Sequence, residues 1–437
     1  MTPERRNPAV RAAVEQGLLT EEHPVVALLD TAGIRASANA LKEAFARVTD
    51  APVLHAFAVK AAPLVPVLAL LHAEGIGAEV ASPGELALAR AAGVPAHRTV
   101  LDSPAKTTAE LREALRLGIA LNADNVQELT RIDALAAGTD RLPPLGLRIN
   151  PQVGGGTIGA LSTATATSKF GVALRDPGAR AEVVRMYRER PWLTRLHTHT
   201  GSQGIPLARM VEGVRELHAL AEEINTAVGR RQIDTLDIGG GLPVNFASDT
   251  TEPTFDTYAR LLAREVPGLF DGGYGLVTEY GRALIAKHGL MLARVEYTKV
   301  SGGRPIAVTH AGVQVATRTV YDPAAWPLRI AAYDGSGRPK GGDPVVQDIA
   351  GPACFAGDLL AEGRELPPLE PGDTVAALDT GAYYFSNHYG YNTLPRPAVH
   401  AFTTGGDGRV DFRTVRAAQA TSELVAEAGG DRADALL

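Results

Sequence analysis

Lys60 is the residue in this sequence best placed for covalent chemistry. It closes the apolar run HAFAV, residues 55–59. Burial at such a strand end favours the neutral amine, and a neutral lysine amine is what Schiff-base chemistry needs. A lysine that snorkels from a strand end into water fits the same residues. Other polar residues also end apolar runs: Glu79 and Ser82, then Arg148, then His197 and His199 followed by Gly201 and Ser202. Gly239, Gly240 and Gly241 follow another, and Glu279, Gly281 and Arg282 the last. A Gly-Gly-Gly loop lets backbone approach a ligand closely, with N–H groups free to hold phosphate. A tight turn between strand and helix explains the glycines equally simply. Arg282 could add a bidentate charged contact. His197 and His199 stand two apart, so both point to one face of a strand. No neighbouring carboxylate or cysteine completes a metal set around them, and no metal centre is expected. A ring facing a cofactor, or a structural histidine, fits them better. The Gly-x-Ser-x-Gly elbow of a hydrolase is absent. So is a G-x-G-x-x-G run opening a helix after a strand.

These residues need a frame that brings strand ends together. Eight candidate strands are each followed by a helical pattern: Val53–Lys60, Ile76–Ser82, Thr99–Asp102, Ile119–Asn122, Leu145–Asn150, Thr194–His199, Thr235–Ile238 and Leu276–Glu279. The alternation predicts a parallel α/β sheet. The number of units is that of a (β/α)8 TIM barrel, whose active site lies at the C-terminal strand ends. An open doubly wound sheet shares the periodicity. Beyond residue 290 the runs Leu292–Val300, Pro305–Val315, Leu328–Tyr333, Asp373–Leu378 and Arg409–Val415 are β-rich and punctuated by Pro and Gly. They predict a C-terminal antiparallel β domain. VVALLD at 25–30 reads as a strand that joins this domain. The expected division is a barrel over 35–288 and a β domain from 1–34 and 289–437. The last ten residues read as frayed.

Composition narrows the classes. The chain has 437 residues, with 43 Lys and Arg against 49 Asp and Glu, for a net charge of −6. A nucleic-acid binder needs a basic footprint, so no nucleic-acid partner is expected. Cys354 is the single cysteine, which excludes an intrachain disulfide and a multi-cysteine metal cluster. No apolar run reaches the ~20 residues that span a bilayer, and the N-terminus lacks the apolar core of a signal peptide. The expectation is a soluble cytoplasmic protein without a membrane partner.

An ordered set of segments resembles the fold-type III, pyridoxal-phosphate-dependent amino-acid decarboxylases, the family of diaminopimelate and ornithine decarboxylases. The segments are HAFAVKAA around Lys60, EVASPGEL at 79–86, LNADNVQEL at 121–129, SKFGV at 168–172, HTHTGSQ at 197–203, DIGGGLP at 237–243 and EYGR at 279–282. GPACFAGD at 351–358, GAYYFS at 381–386 and YNTLPRPA at 391–398 continue it. The resemblance implies an alanine-racemase-like barrel with pyridoxal 5′-phosphate on Lys60 as a Schiff base. Ser202, Gly239, Gly240, Gly241, Gly281, Arg282 and Tyr383 would bind its phosphate. Glu279 would pair with the pyridine nitrogen and His199 stack on the ring, with Glu79 and Arg148 also lining the cofactor. Cys354, in the Gly-Pro-x-Cys motif, would be the proton donor, supplied across the interface of a homodimer with shared active sites.

The substrate pocket departs from the best-known members. Phe355 stands where diaminopimelate decarboxylases carry Glu and ornithine decarboxylases carry Asp. A phenylalanine offers an ammonium cation–π contact but no charge. Asp358, three residues on, is the candidate reader of a distal amine. Arg318 and Tyr321 lie in the stretch Arg318-Thr319-Val320-Tyr321, which corresponds to an Arg-Pro-x-x-Tyr run with Thr319 for Pro, and Arg318 is the candidate reader of a distal carboxylate. Tyr383 is a further substrate contact. Tyr280 replaces a usual Pro, and Ala62 an Asn. These departures resemble a divergent branch that includes D-ornithine and D-lysine decarboxylases. The implied reaction is decarboxylation of a diamino or other polar amino acid, at a D- or L-centre. A racemase, or a non-catalytic pyridoxal-phosphate-binding protein, shares the barrel and the lysine. The long β domain with Cys354 counts against the non-catalytic reading.

Overall fold

The computed structural model describes residues 1–139 and 141–437. They form two compact units, Arg35–Asn245 with Thr251–Leu284, and Met1–Ile34 with Phe246–Thr250 and Ile285–Leu437.

The first unit is a closed barrel. Its strands are Val53–Ala58, Gly77–Val80, Thr99–Asp102, Ala120–Ala123, Leu145–Asn150, Leu193–His197, Thr235–Asp237 and Gly275–Tyr280. Each pairs in parallel with the next, and the eighth pairs with the first, Glu279 opposite Ala56. Closure therefore decides between the barrel and the open sheet. Local sequence fixes where the helices begin. Ser82, Thr107 and Asn125 each accept a backbone N–H three residues on, which satisfies an orphan donor of the first turn.

Two strand ends differ from expectation in ways that matter. The first strand stops at Ala58, and Lys60 lies in the short 3-10 turn Val59–Ala61. The sixth stops at His197, so His199 belongs to the loop beyond it. The two histidines therefore do not share a strand face. Pairing ends there because the chain turns across the mouth toward Gly201, whose φ of +154° is one that L side chains rarely adopt.

The second unit is built on a mixed sheet, not the purely antiparallel one expected. Val25–Asp30 lies at its centre, antiparallel to Gly289–Ser301 and parallel to Ala398–Thr404. Arg304–Thr309 is parallel to Val345–Ala350. No hairpin links these parallel partners, so nothing local forces them to run opposite ways. Val26, Leu28, Leu290, Leu292, Tyr333 and Phe402 form its core, closed by Ala9, Val10 and Ala13 of the helix Pro3–Glu15. The run expected as a strand from Pro305 to Val315 divides, because a strand ends at Thr309 and the helix Val313–Tyr321 begins. That helix carries Arg318 and Tyr321. Among the described residues, no helix is long and apolar enough to cross a membrane.

Candidate active site

Lys60 is not sealed in an apolar wall. Its side chain is 43% exposed and its Nζ pairs with Glu79 of the second strand, which is 1% exposed. Burial drives the Glu79 carboxyl up, opposed by the adjacent ammonium. The amine is thus held by a carboxylate at the mouth, a placement the apolar run did not reveal.

Three loops converge beside it. A Cβ on Gly281 would come within 2.8 Å of Ala61 and 3.1 Å of Ala58, so the loop after the eighth strand packs on the lysine turn. A Cβ on Gly240 would fall on the Glu279 carbonyl, and one on Gly241 on the Gly201 carbonyl. Close packing therefore requires these glycines. Gly239 N–H donates to Asp237 Oδ1 at 3.0 Å, and Gly240 N–H to His199 Nδ1 at 3.2 Å. This corrects the expectation that all three N–H groups are free for a phosphate, because two are already committed to side chains. Ser202, with its N–H on the Leu161 carbonyl, stands beside Gly201 in the facing loop. Arg282 is buried at the end of the eighth strand.

His199 accepts at Nδ1, which fixes its unprotonated nitrogen. Burial, then Arg148 and Lys60, hold its pKa well below the usual 6.5, so the ring is neutral. Arg148 stacks on Phe170 at 4.4 Å and faces Asp124 at 3.9 Å. Glu279 is buried, 4.0 Å from His199 Nδ1, and its Oε1 accepts no protein donor. Burial, then Asp237 and Asp102, raise its carboxyl well above the usual range. The next residue, Tyr280, points the other way, packing edge-on against Phe255 at 5.1 Å. The Tyr-for-Pro departure therefore leaves the mouth untouched.

Beneath Glu279 lies a layer that sequence reasoning missed. Asp102, His197, Asp237 and Glu279 bring ligand-type atoms within 4.8 Å of one another. Asn122 bridges two of them, donating Nδ2 to Asp102 Oδ2 at 3.3 Å and to Asp237 Oδ2 at 3.1 Å. His197 Nδ1 meets Asp237 Oδ1 at 3.2 Å. The expectation that His197 has no carboxylate nearby is overturned, because its partners come from other strands. The available signal was a polar residue closing each apolar strand, as in TVLD at 99–102.

The remaining predicted residues lie in the second unit. Cys354 is exposed. Its N–H donates to Asn392 Oδ1 at 2.7 Å, and its carbonyl accepts from Tyr391 at 3.3 Å. Phe355 stacks on Tyr321, with centroids 6.0 Å apart and planes 8° apart, and Tyr389 and Tyr391 meet this pair edge-on. Arg318 lies over Trp326 at 5.1 Å and over Tyr383 at 4.6 Å. Its buried Nη1 meets no acceptor. Asp358 departs from expectation. It is buried, and its oxygens accept Val313 N–H at 2.6 Å and Ala353 N–H at 2.7 Å. It ties down the Cys354 loop and is not presented to a distal amine.

The barrel residues fit pyridoxal phosphate. Lys60 offers an amine at the mouth, Glu279 a buried oxygen without a donor, and the loops after the sixth, seventh and eighth strands a place for an anion.

Comparisons agree with that fit. A family model described as pyridoxal-dependent decarboxylase, pyridoxal binding domain, matches residues 31–286. The diaminopimelate decarboxylase of Zymomonas mobilis is 32% identical over 347 residues, 78% of this chain and 79% of that protein. The Vibrio cholerae protein of the same name is 34% identical over 355 residues, 80% and 81% of the two. The structure of Helicobacter pylori diaminopimelate decarboxylase complexed with L-lysine matches with a TM-score of 0.83 at 26% identity, covering 95% of this chain and 100% of that one. Lysine/ornithine decarboxylase from Vibrio vulnificus complexed with putrescine gives 0.74 at 26% identity, covering 92% and 99%.

Proposed function

The chain belongs to the pyridoxal-dependent decarboxylases and is a pyridoxal-phosphate-dependent amino-acid decarboxylase, and from that premise we propose that it decarboxylates a diamino acid bearing a distal carboxylate. One observation carries the assignment of residues. The Lys60–Glu79 pair and a buried Glu279 with a donor-free oxygen meet at one barrel mouth. When bound, the cofactor supplies an electron sink for cleavage of the bond between Cα and the carboxylate.

The residues divide the remaining work. Lys60 would hold the cofactor through its amine, with Glu79 keeping that amine in place. Glu279 would face the ring nitrogen and favour its protonated form. Neutral His199 would cover a ring face without adding charge. Arg282, Ser202, Gly281 and the Gly241 backbone would hold the phosphate, completed by Tyr383. Cys354 would give its thiol proton to Cα.

Arg318 supports the choice of substrate. Its buried Nη1 has no acceptor while its face is held by Trp326 and Tyr383. A distal carboxylate satisfies that donor. The stack of Phe355 on Tyr321 receives the ammonium by cation–π contact. We further assign residues 35–288 to the cofactor domain, and 1–34 with 289–437 to the β domain. The working form is a cytoplasmic homodimer in which each Cys354 serves its partner's barrel.

The test is CO2 release and chiral product analysis with meso-diaminopimelate and with both enantiomers of lysine and ornithine. The expected result is CO2 from diaminopimelate with equimolar amine. Inverted amino acid without CO2 favours the racemase reading and overturns this one.

A further inference from the structure

We propose that Asp102 is a positioning residue for Glu279, fixing the orientation and the proton of that carboxyl from below, with Asn122, Asp237 and His197 as its anchor. The proposal rests on the reading that Glu279 faces the ring nitrogen of the cofactor.

The argument starts from donors and acceptors. The Asp237 carboxylate accepts Gly239 N–H at 3.0 Å and Asn122 Nδ2 at 3.1 Å, and His197 Nδ1 lies 3.2 Å both from its Oδ1 and from its backbone carbonyl, to which it hydrogen-bonds. Asp102 accepts Asn122 Nδ2 at 3.3 Å, and His197, Lys106 and Arg148 face it with positive charge. Burial works against its charge, yet these neighbours and the contact with Glu279 bring its carboxyl down to about 2. Asp102 is therefore an anion.

Glu279 has no such support. The charged groups facing it are Asp237, Asp102 and Glu79. The nearest imidazole, His199, accepts at the nitrogen that faces it and cannot donate there. Three carboxylates cannot all be ionised in one buried cluster. The group without donors is the one that takes the proton. The Glu279 and Asp102 carboxyl groups lie within 4.8 Å of one another, and Asp102 Oδ1 and Glu279 Oε1 are both buried without a donor, a pair that protonated Glu279 satisfies by donating to ionised Asp102. One hydrogen bond thereby sets the rotation of the Glu279 carboxyl and leaves its other oxygen to face a ring nitrogen.

His197 completes the balance. Burial lowers its pKa, but Asp237 and Asp102 outweigh that and raise it. The positive form that this favours lies against the Asp102 charge below Glu279. The layer is thus a fixed electrostatic floor, with each member supplied by a different strand.

The test measures the affinity of the full-length protein, stripped of cofactor, for pyridoxal phosphate and for its carbocyclic analogue with C–H in place of the ring nitrogen. The ratio of the two dissociation constants reports the ring-nitrogen contact alone. Wild type should prefer the natural cofactor, and Glu279→Gln should abolish that preference. Asp102→Asn should reduce the preference by about tenfold. Asn122→Ala, a milder change, should reduce it in the same direction. An Asp102→Asn protein whose two affinities fall together, leaving the ratio at the wild-type value while Glu279→Gln loses it, overturns the proposal and leaves the cofactor assignment standing. A Glu279→Gln protein with the wild-type ratio overturns the assignment of Glu279 and the proposal with it. Should Asp102→Asn not fold, an unchanged ratio in Asn122→Ala is the overturning result.

Discussion

Lys60 and Cys354, the two residues assigned covalent and proton chemistry, are held in different ways. Lys60 sits on a turn wedged between closed barrel strands, paired with a buried carboxylate, above a layer of interlocked polar side chains. Cys354 sits on an exposed loop, tied by the side-chain carboxylate of Asp358 and by Asn392, within a cluster of exposed rings. The barrel sets positions by strand register and can therefore be exact about charge. The loop sets position by a few hydrogen bonds and leaves its face open to a second surface. Tyr321 at 58% and Tyr391 at 43% exposure mark that face. Exposed rings of this kind are enriched at interfaces, in keeping with the proposed shared dimer.

The comparison can be broken first at its barrel side. Lys60→Ala should lower turnover by on the order of 10³-fold or more and remove the covalent absorbance of the cofactor, while circular dichroism stays unchanged. Cys354→Ala should cost on the order of 10²-fold in turnover. Cofactor affinity, read by absorbance titration, should not move. If cofactor affinity falls with the cysteine, the division of labour is wrong.

Arg318→Ala sharpens the substrate side. It should reduce kcat/KM about 10- to 100-fold for an amino acid with a distal carboxylate, the value of charge-assisted hydrogen bonds lost at a buried site. For lysine the change should be much smaller. Equal losses for both would remove Arg318 from substrate recognition.

How much of this was legible in the sequence differs by region. The barrel strands could be read because each is a short apolar run before a helical pattern, whereas closure could not, because an open sheet shares that pattern. Lys60, Glu279 and the Gly-Gly-Gly loop could be read because each interrupts an apolar run. Asp102, Asn122 and Asp237 could not be linked, because only barrel closure brings three separate strands to one point. His199 was misjudged because strand pairing ends two residues earlier than apolarity does. Asp358 was misjudged because its spacing from Cys354 suited a ligand, while the loop geometry takes both of its oxygens for backbone N–H groups. The parallel pairing of Val25–Asp30 with Ala398–Thr404 links opposite ends of the chain, and no local pattern encodes it.

Stability separates the two regions further. Asp358→Ala removes both acceptors from buried backbone donors, and should cost about 2–4 kcal/mol in urea unfolding of the β unit. Cofactor binding in the barrel should be little affected. The smallest effect concerns pH. The Asp102 carboxyl is lowered from 3.8 to about 2 in the fold. A depressed acid stabilises the fold above 3.8, and that contribution is lost as pH falls through about 2. Asp102→Asn should therefore flatten the acid limb of stability between these values, measured by unfolding across that range.

The central claim is that the barrel lysine and the loop thiol serve one reaction in an assembled pair. Mixing Lys60→Ala with Cys354→Ala protein, each strongly impaired alone, tests it directly. The account predicts that CO2 release recovers on subunit exchange, because a mixed dimer carries one site with both groups intact. No recovery in mixed dimers confirmed by mass measurement would contradict it.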